Sequence, residues 1–240
     1  MRKVVVFLTL ILAFSSCTRD SELLFDEDRQ LIVEGQITSS VDIDLSMIPI
    51  NVTAFRSAGW FTGGGDFVVL GSGFLDASGN YRIVSTFPEN ADEINLEINS
   101  WRERVFIDSI SQIYVNEIEN LPFNNSRYSM PSFNLERLEL FEIEVRKNSN
   151  TLDTLGFSIT HNSSLQRFSI DREGNLFEFD GGSSVGSRID PDDAPNIYKM
   201  DIIENSDIFI HYSIRNKGLL EQGEFIVPTD GQESRFVFEY

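Results

Sequence analysis

Apolar residues in this chain recur at every second position, in short runs broken by turn residues, and that period commits it to β-structure. The runs Ile50-Asn51-Val52-Thr53-Ala54-Phe55, Ile94-Asn95-Leu96-Glu97-Ile98, Leu138-Glu139-Leu140-Phe141-Glu142-Ile143-Glu144-Val145 and Ile208-Phe209-Ile210-His211-Tyr212-Ser213-Ile214-Arg215 all alternate. Successive side chains of a strand point to opposite faces, so each run has one apolar face to bury. Turn clusters such as Asp76-Ala77-Ser78-Gly79-Asn80 and Pro88-Glu89-Asn90-Ala91-Asp92 separate the runs at intervals of about 8–12 residues. No window holds a helical stripe over three turns. The pattern predicts an all-β chain built as antiparallel sandwiches.

The stretch Asn120 to Pro131, with Pro122, Asn124, Asn125 and Ser126, interrupts the alternation and reads as a boundary. It divides the chain into a first sandwich over 31–120, a connection over 121–135 and a second sandwich over 136–240. The second region holds seven or eight runs, a number that suits an immunoglobulin-like sandwich, and its runs include Leu155–Ile159, Leu176–Phe179 and Arg235–Tyr240. Within it, Asp171-Arg172-Glu173-Gly174-Asn175 reads as a hairpin turn. The chain has 240 residues, 41% of them hydrophobic, and one cysteine. An intramolecular disulfide is therefore impossible, and stability has to come from burial.

That cysteine follows Arg2, Lys3, an apolar stretch from Val4 to Phe14 broken only by Thr9, and the small residues Ser15 and Ser16. A charged start, a short apolar run and a small-residue cleavage site describe a signal peptide over 1–16, too short for a permanent membrane helix. With Cys17 directly after it, the segment resembles the lipobox of bacterial lipoproteins, although Phe14 stands where Leu or Val is usual. The resemblance implies that Cys17 carries diacylglycerol and palmitate and anchors the protein in the outer membrane. Residues 17–30 read as an acidic tether. Asp20, Glu22, Asp26, Glu27 and Asp28 resemble an export tag that implies the cell exterior, the periplasmic face being the alternative.

A second resemblance rests on Val33-Glu34-Gly35-Gln36-Ile37, on Ile48-Pro49-Ile50-Asn51-Val52-Thr53-Ala54, and on Gly73 through Asp76-Ala77-Ser78-Gly79-Asn80-Tyr81-Arg82-Ile83. Together they look like the carboxypeptidase-regulatory or transthyretin-like module over about residues 31–99. Pro49 opens a strand, where its missing N–H does no harm, and Gly79 supplies a tight turn. The resemblance implies an accessory module of the cell envelope and brings no catalytic residues with it.

Acidic residues number 38 against 19 basic ones, a net charge of −19 spread along the chain. Such a surface repels phosphate backbones and anionic head groups, which argues against nucleic-acid binding. The expected function is a non-catalytic binding or scaffold module for a transporter, polysaccharide or protein partner, on a membrane it reaches through its lipid. The alternative is a glycosidase-like hydrolase of the envelope, since that chemistry needs only two facing carboxylates. Gly182-Ser183-Ser184-Val185-Gly186 matches a nucleophile-elbow pattern, but Ser187-Arg188-Ile189-Asp190-Pro191 cannot begin the helix an elbow requires. The two histidines, His161 and His211, make a poor zinc site, and His211 falls on the solvated face of its run. No cofactor is expected beyond possible calcium, for which Asp180, Asp190, Asp192 and Asp193 offer hard oxygen ligands on one loop. Between two runs, Trp60 and Phe61 precede Gly63-Gly64-Gly65 and are the candidate contacts for a ligand or partner, capping of the sandwich being the other possibility. Cys17→Ala should abolish incorporation of a palmitate analogue and release the protein from membranes, measured by metabolic labelling and fractionation.

Overall fold

The computed structural model describes residues 22–58, 64–100, 102–103, 105–121, 126–147, 154–161, 164–179, 183–189, 196–216, 219–229 and 235–240. Strands run in the order β1 Phe25–Ser39, β2 Pro49–Ser57, β3 Gly65–Phe74, β4 Asn80–Pro88, β5 Glu93–Ile98, β6 Gln112–Asn116, β7 Arg127–Ser129 and β8 Phe133–Leu135. They continue with β9 Leu138–Arg146, β10 Thr154–His161, β11 Leu165–Ile170, β12 Leu176–Phe179, β13 Ser183–Ile189, β14 Asn196–Ile203, β15 Asp207–Asn216, β16 Leu219–Pro228 and β17 Arg235–Glu239. Single 3₁₀ turns at Leu45–Met47 and Ile118–Asn120 are the helical elements among the described residues.

The strands build two β-sandwiches, the all-β class that the alternation predicts. In the first, the sheet β4-β1-β7, with β8 also pairing β1, faces the sheet β3-β2-β5-β6. In the second, β14-β9-β17 faces β13-β10-β15-β16. Replacing β1 to β7 by β9, β10 and β13 to β17 in chain order turns the first description into the second. The second sandwich has the seven strands of an immunoglobulin-like unit but repeats the strand order of the first. Even the pairing senses agree: β1 takes β7 in parallel, and β9 takes β17 in parallel. Each sandwich has its own core, one around Leu31, Val33, Ile50, Leu96 and Val115, the other around Ile143, Leu155, Ile159, Ile202 and Ile210.

The hairpin β11–β12 falls between the second and third strands of the second sandwich, yet it belongs to the first. β11 pairs in parallel with β6, from Leu165 opposite Gln112 to Ser169 opposite Asn116, and extends that sheet to six strands. Ile170 is fully buried in the first core, and Phe168 packs against it, its ring 5.0 Å from that of Phe133. The expectation of a self-contained sandwich over 136–240 is corrected accordingly. Alternation shows that a strand has an apolar face but not which sheet receives it, and the free edge of β6 was available.

Two further boundaries move. Residues 25–30 are not tether: Phe25 and Asp26 pair with Pro88 and Phe87, and after a bulge Gln30 pairs with Thr86. Backbone pairing needs no apolar side chains, so a charged run can extend an edge. The connection 121–135 supplies β7 and β8, and Tyr128, Met130, Phe133 and Leu135 are buried. Strands of three residues are too short to show a period. Residues 105–107 form no strand, and β6 lies next to β5 in the sheet.

The two turns read from sequence form by one device, although only the second closes a hairpin, since β3 and β4 lie in different sheets. Asp76 Oδ1 accepts from Asn80 N–H at 2.8 Å, and Asp171 Oδ1 accepts from Asn175 N–H at 2.7 Å, with Gly79 and Gly174 at φ +79° and +82°. A Cβ on Gly79 would also lie 2.0 Å from the Ile37 carbonyl oxygen, so no other residue fits there. Ile170→Ala should lower the unfolding free energy by about 2–5 kcal/mol. Hydrogen exchange should quicken in β5 and β6 of the first sandwich before it does so in β10 or β15.

Candidate functional site

The outer face of the six-stranded sheet is polar yet buried, and it is where the candidate site lies. Ile50, Val52 and Ala54 of β2 face the core, which sends Asn51 and Thr53 outward. One cross-strand row reads Ser72, Asn51, Glu97, Tyr114 and Arg167 across β3, β2, β5, β6 and β11. An outward row is expected to meet water, but Asn51, Thr53, Asn95 and Glu97 are each no more than 3% exposed.

The segment after β5 provides the cover. Asn99 adopts a left-handed conformation (φ 54°) and clamps Ile107 with two backbone bonds, both 2.8 Å: its Nδ2 donates to the carbonyl and its Oδ1 accepts from the N–H. That clamp holds Arg102 and Glu103 over the sheet. Glu103 Oε1 accepts from Asn51 Nδ2 at 2.7 Å, and Arg102 donates to Glu97 Oε1 at 2.9 Å. The Arg102 guanidinium also lies 5.2 Å from the centre of the Phe67 ring. The buried Glu97 carboxylate is thus paired, as a buried charge must be.

Beside this cover opens a cleft of about 300 Å³ lined by Glu97, Ser100, Arg102, Gln112, Ile113, Tyr114, Leu165 and Arg167. The inserted hairpin supplies Leu165 and Arg167, so both halves of the chain build the wall. Burial, with Glu97 and Glu93 nearby, pushes the Tyr114 hydroxyl up and keeps it a neutral donor. On the same face, Asn51 Oδ1, Thr53 Oγ1 and Asn116 Oδ1 are buried with no hydrogen-bond partner among the described residues. Unmet acceptors are few in folded proteins, and three of them gather on this one face.

A second concavity of about 660 Å³ opens over β1 and β4, lined by Glu34, Gly35, Phe74, Asp76, Tyr81, Arg82 and Ser129 among others. Its charges are engaged with one another. Arg127 holds Glu34 through two bonds of 2.7 Å, and Asp76 is occupied in its turn.

Every candidate named from sequence falls outside the described residues: Cys17, Trp60, Phe61, Asp180, Asp190, Asp192 and Asp193. Among the described residues no three metal-ligating side chains gather, and no helix is long and apolar enough to cross a membrane. Ser183 and Ser184 lie within β13, paired with His161 and Thr160 of β10, so no strand-to-helix elbow forms there. His211 is exposed as expected and faces Glu224 across the strands at 3.2 Å. Sequence reasoning missed the polar face, although asparagine at 51, 95 and 116, inside or at the end of a strand, was a signal because strands disfavour it.

No family model and no curated protein matches the sequence. Solved structures show a distant likeness. A streptococcal ancillary pilin aligns over 89% of this chain and 63% of its own at 10% identity and a TM-score of 0.30. The shaft pilin SpaA from Lactobacillus rhamnosus GG aligns over 88% and 97% at 9% identity and 0.25. The Bacillus anthracis TIE protein aligns over 88% of this chain at 11% identity and 0.28, and the chain spans only 34% of its length.

One carboxyl among the described residues departs upward: burial pushes Glu119 from 4.5 to about 7. A raised carboxyl can mark a general acid. Glu119, however, lines neither concavity, and its Oε2 accepts from Ile94 N–H at 2.8 Å, a structural bond between the 3₁₀ turn and β5. Its folded pKa lies above the unfolded one, so between about pH 4.5 and pH 7 the folded state keeps a proton that the unfolded state has lost. Stability should therefore fall as pH rises through that window and stay reduced above it. Glu119→Gln, which retains an acceptor for Ile94, should flatten that slope in urea titrations run across the window.

Proposed function

We propose that this protein is a non-catalytic, lipid-anchored module of the outer membrane that binds a polysaccharide on the polar face of its first sandwich. One observation carries the reading: the cross-strand row Glu97–Tyr114–Arg167 lines an open cleft on an otherwise covered polar face. Sugar hydroxyls donate and accept together, and this row sets the Tyr114 phenol and the Arg167 guanidinium side by side for them. A protein partner would call for an apolar anchor at the centre of the patch, and here the apolar contribution is Ile113 and Leu165.

The cleft sits at the small end of the range for ligand pockets, about 300–1,000 Å³. It takes part of a chain, and further units lie along the sheet. Glu97 is spent on Arg102, whereas Arg167 is exposed and leaves its donors to the ligand. In this reading Cys17 supplies the anchor, and Trp60 and Phe61 add stacking contacts from the β2–β3 connection. A negative surface keeps the module off anionic head groups, so the lipid alone holds it to the membrane.

Affinity electrophoresis in gels containing neutral or acidic polysaccharides tests the proposal. Retardation by at least one polysaccharide is expected. Arg167→Ala and Tyr114→Ala should each weaken it about tenfold, the loss of one hydrogen bond to a charged or buried group. No retardation by any polysaccharide overturns the reading. If only the Trp60→Ala, Phe61→Ala double variant loses binding, the ligand sits on the loop and not in the cleft.

A further inference from the structure

The repeated strand order exposes a difference between the two sandwiches. β6 and β16 are the same strand of the repeat, the sixth, at the edge of the four-stranded sheet. In the first sandwich β11 covers that edge. In the second, β16 pairs with β15 on one side, and no described strand lies on the other. Its side chains show the same contrast: Leu219 is 78% exposed, Leu220 53% and Ile226 55%, with Phe209, opposite Ile226 on β15, at 41%. A ten-residue edge strand carrying exposed apolar residues and no lysine invites pairing.

We propose that β16 pairs antiparallel with β16 of a second copy of this chain, about a twofold axis at Gly223. Side-chain alternation and charge select this register. Leu220, Gln222, Glu224 and Ile226 share the outer face with Phe209 and His211. Centring the pair on Gly223 sets Leu220 opposite Ile226 of the other copy, and Gln222 opposite its Glu224. The two exposed apolar residues cover each other and extend the Phe209–Ile226 patch, while each Gln222 amide donates to a carboxylate. Sliding by two residues one way puts Glu224 against its own copy. Sliding the other way carries Ile226 past the end of the partner strand.

Gly223 suits the axis, because the Tyr212 ring already fills the place of its side chain: a Cβ there would lie 2.5 Å from the Tyr212 hydroxyl. The contact is isologous, so it closes as a dimer and joins two four-stranded sheets into one of eight. Each chain carries −19, so association should strengthen with salt as the mutual repulsion is screened.

Sedimentation equilibrium on the chain from residue 17, carrying Cys17→Ser and holding every described element, should show a monomer–dimer equilibrium. Gln222→Glu sets like charges opposite each other twice by symmetry and should weaken the dimer about fivefold; Gln222→Lys should tighten it about fivefold. Both changes sit on an exposed position and leave the fold intact, as an unchanged melting profile would register. Leu220→Cys with Ile226→Cys should oxidise to a covalent dimer, and neither single variant should. A monomer at every concentration and salt, both Gln222 variants shifting the equilibrium the same way, or a single-cysteine variant cross-linking as well as the double would overturn the proposal.

Discussion

The pairing of β11 with β6 holds this chain together. Two sandwiches of one strand order follow each other in sequence, and a hairpin from the second is laid on the sheet of the first. Side chains fix it from both ends: Gln166 Nε2 donates to Ser111 Oγ at 2.6 Å, and Asn120 Nδ2 donates to the Ile170 carbonyl at 3.0 Å. With a single cysteine in the chain, no disulfide can share this role. The graft removes the open edge of β6, buries Ile170 and packs Phe168 against the core of the first sandwich, and brings Leu165 and Arg167 to the cleft.

The polar face depends on that graft and on a second device, the Asn99 clamp. A sheet face rich in Asn, Thr and Glu is ordinarily left to water, where its groups are satisfied at no cost. Here it is covered, and each covered group must find a partner or go without. Glu97 and one end of Asn51 find theirs in Arg102 and Glu103. Asn51 Oδ1, Thr53 Oγ1 and Asn116 Oδ1 do not, among the described residues. Stability alone would favour apolar residues at such positions. The cleft beside this cover, lined by Tyr114 and Arg167, is where the face meets solvent, and the proposed ligand is drawn from it.

Repetition of the strand order explains how the chain treats its edges. Both sandwiches reach their topology through the same binary pattern and not through repeated residues, so the likeness is plain in strand order and silent in sequence. Where the repeat is filled differently, the outcome differs. A hairpin between the second and third strands of the second sandwich seals the sixth strand of the first, while its counterpart β16 carries exposed leucine and isoleucine on an edge that no described strand covers. The dimer inferred above gives that edge the kind of cover β6 receives within the chain.

Much of the fold was legible in the residues. Period-two alternation located β2, β5, β9 and β15, and the inner face of each except at the start of β9, where Leu138 and Leu140 lie opposite the buried Phe141, Ile143 and Val145. Asp76 with Gly79 and Asp171 with Gly174 marked their turns, because a left-handed residue and a side-chain acceptor are local requirements. The boundaries at 30, 120 and 136 were not legible. β1 begins in a charged run, β7 and β8 have three residues each, and β11 looks like any other strand of its own half. The candidate site was least visible. Asn51, Glu97, Tyr114 and Arg167 lie in four runs spread over more than a hundred residues, and each alone reads as a solvent-facing position. Local chemistry decided strands, faces and turns, because those depend on neighbours in sequence. Which sheet receives a strand, and which polar residues then stand in one row under cover, depends on long-range pairing, and only the tertiary structure decided it.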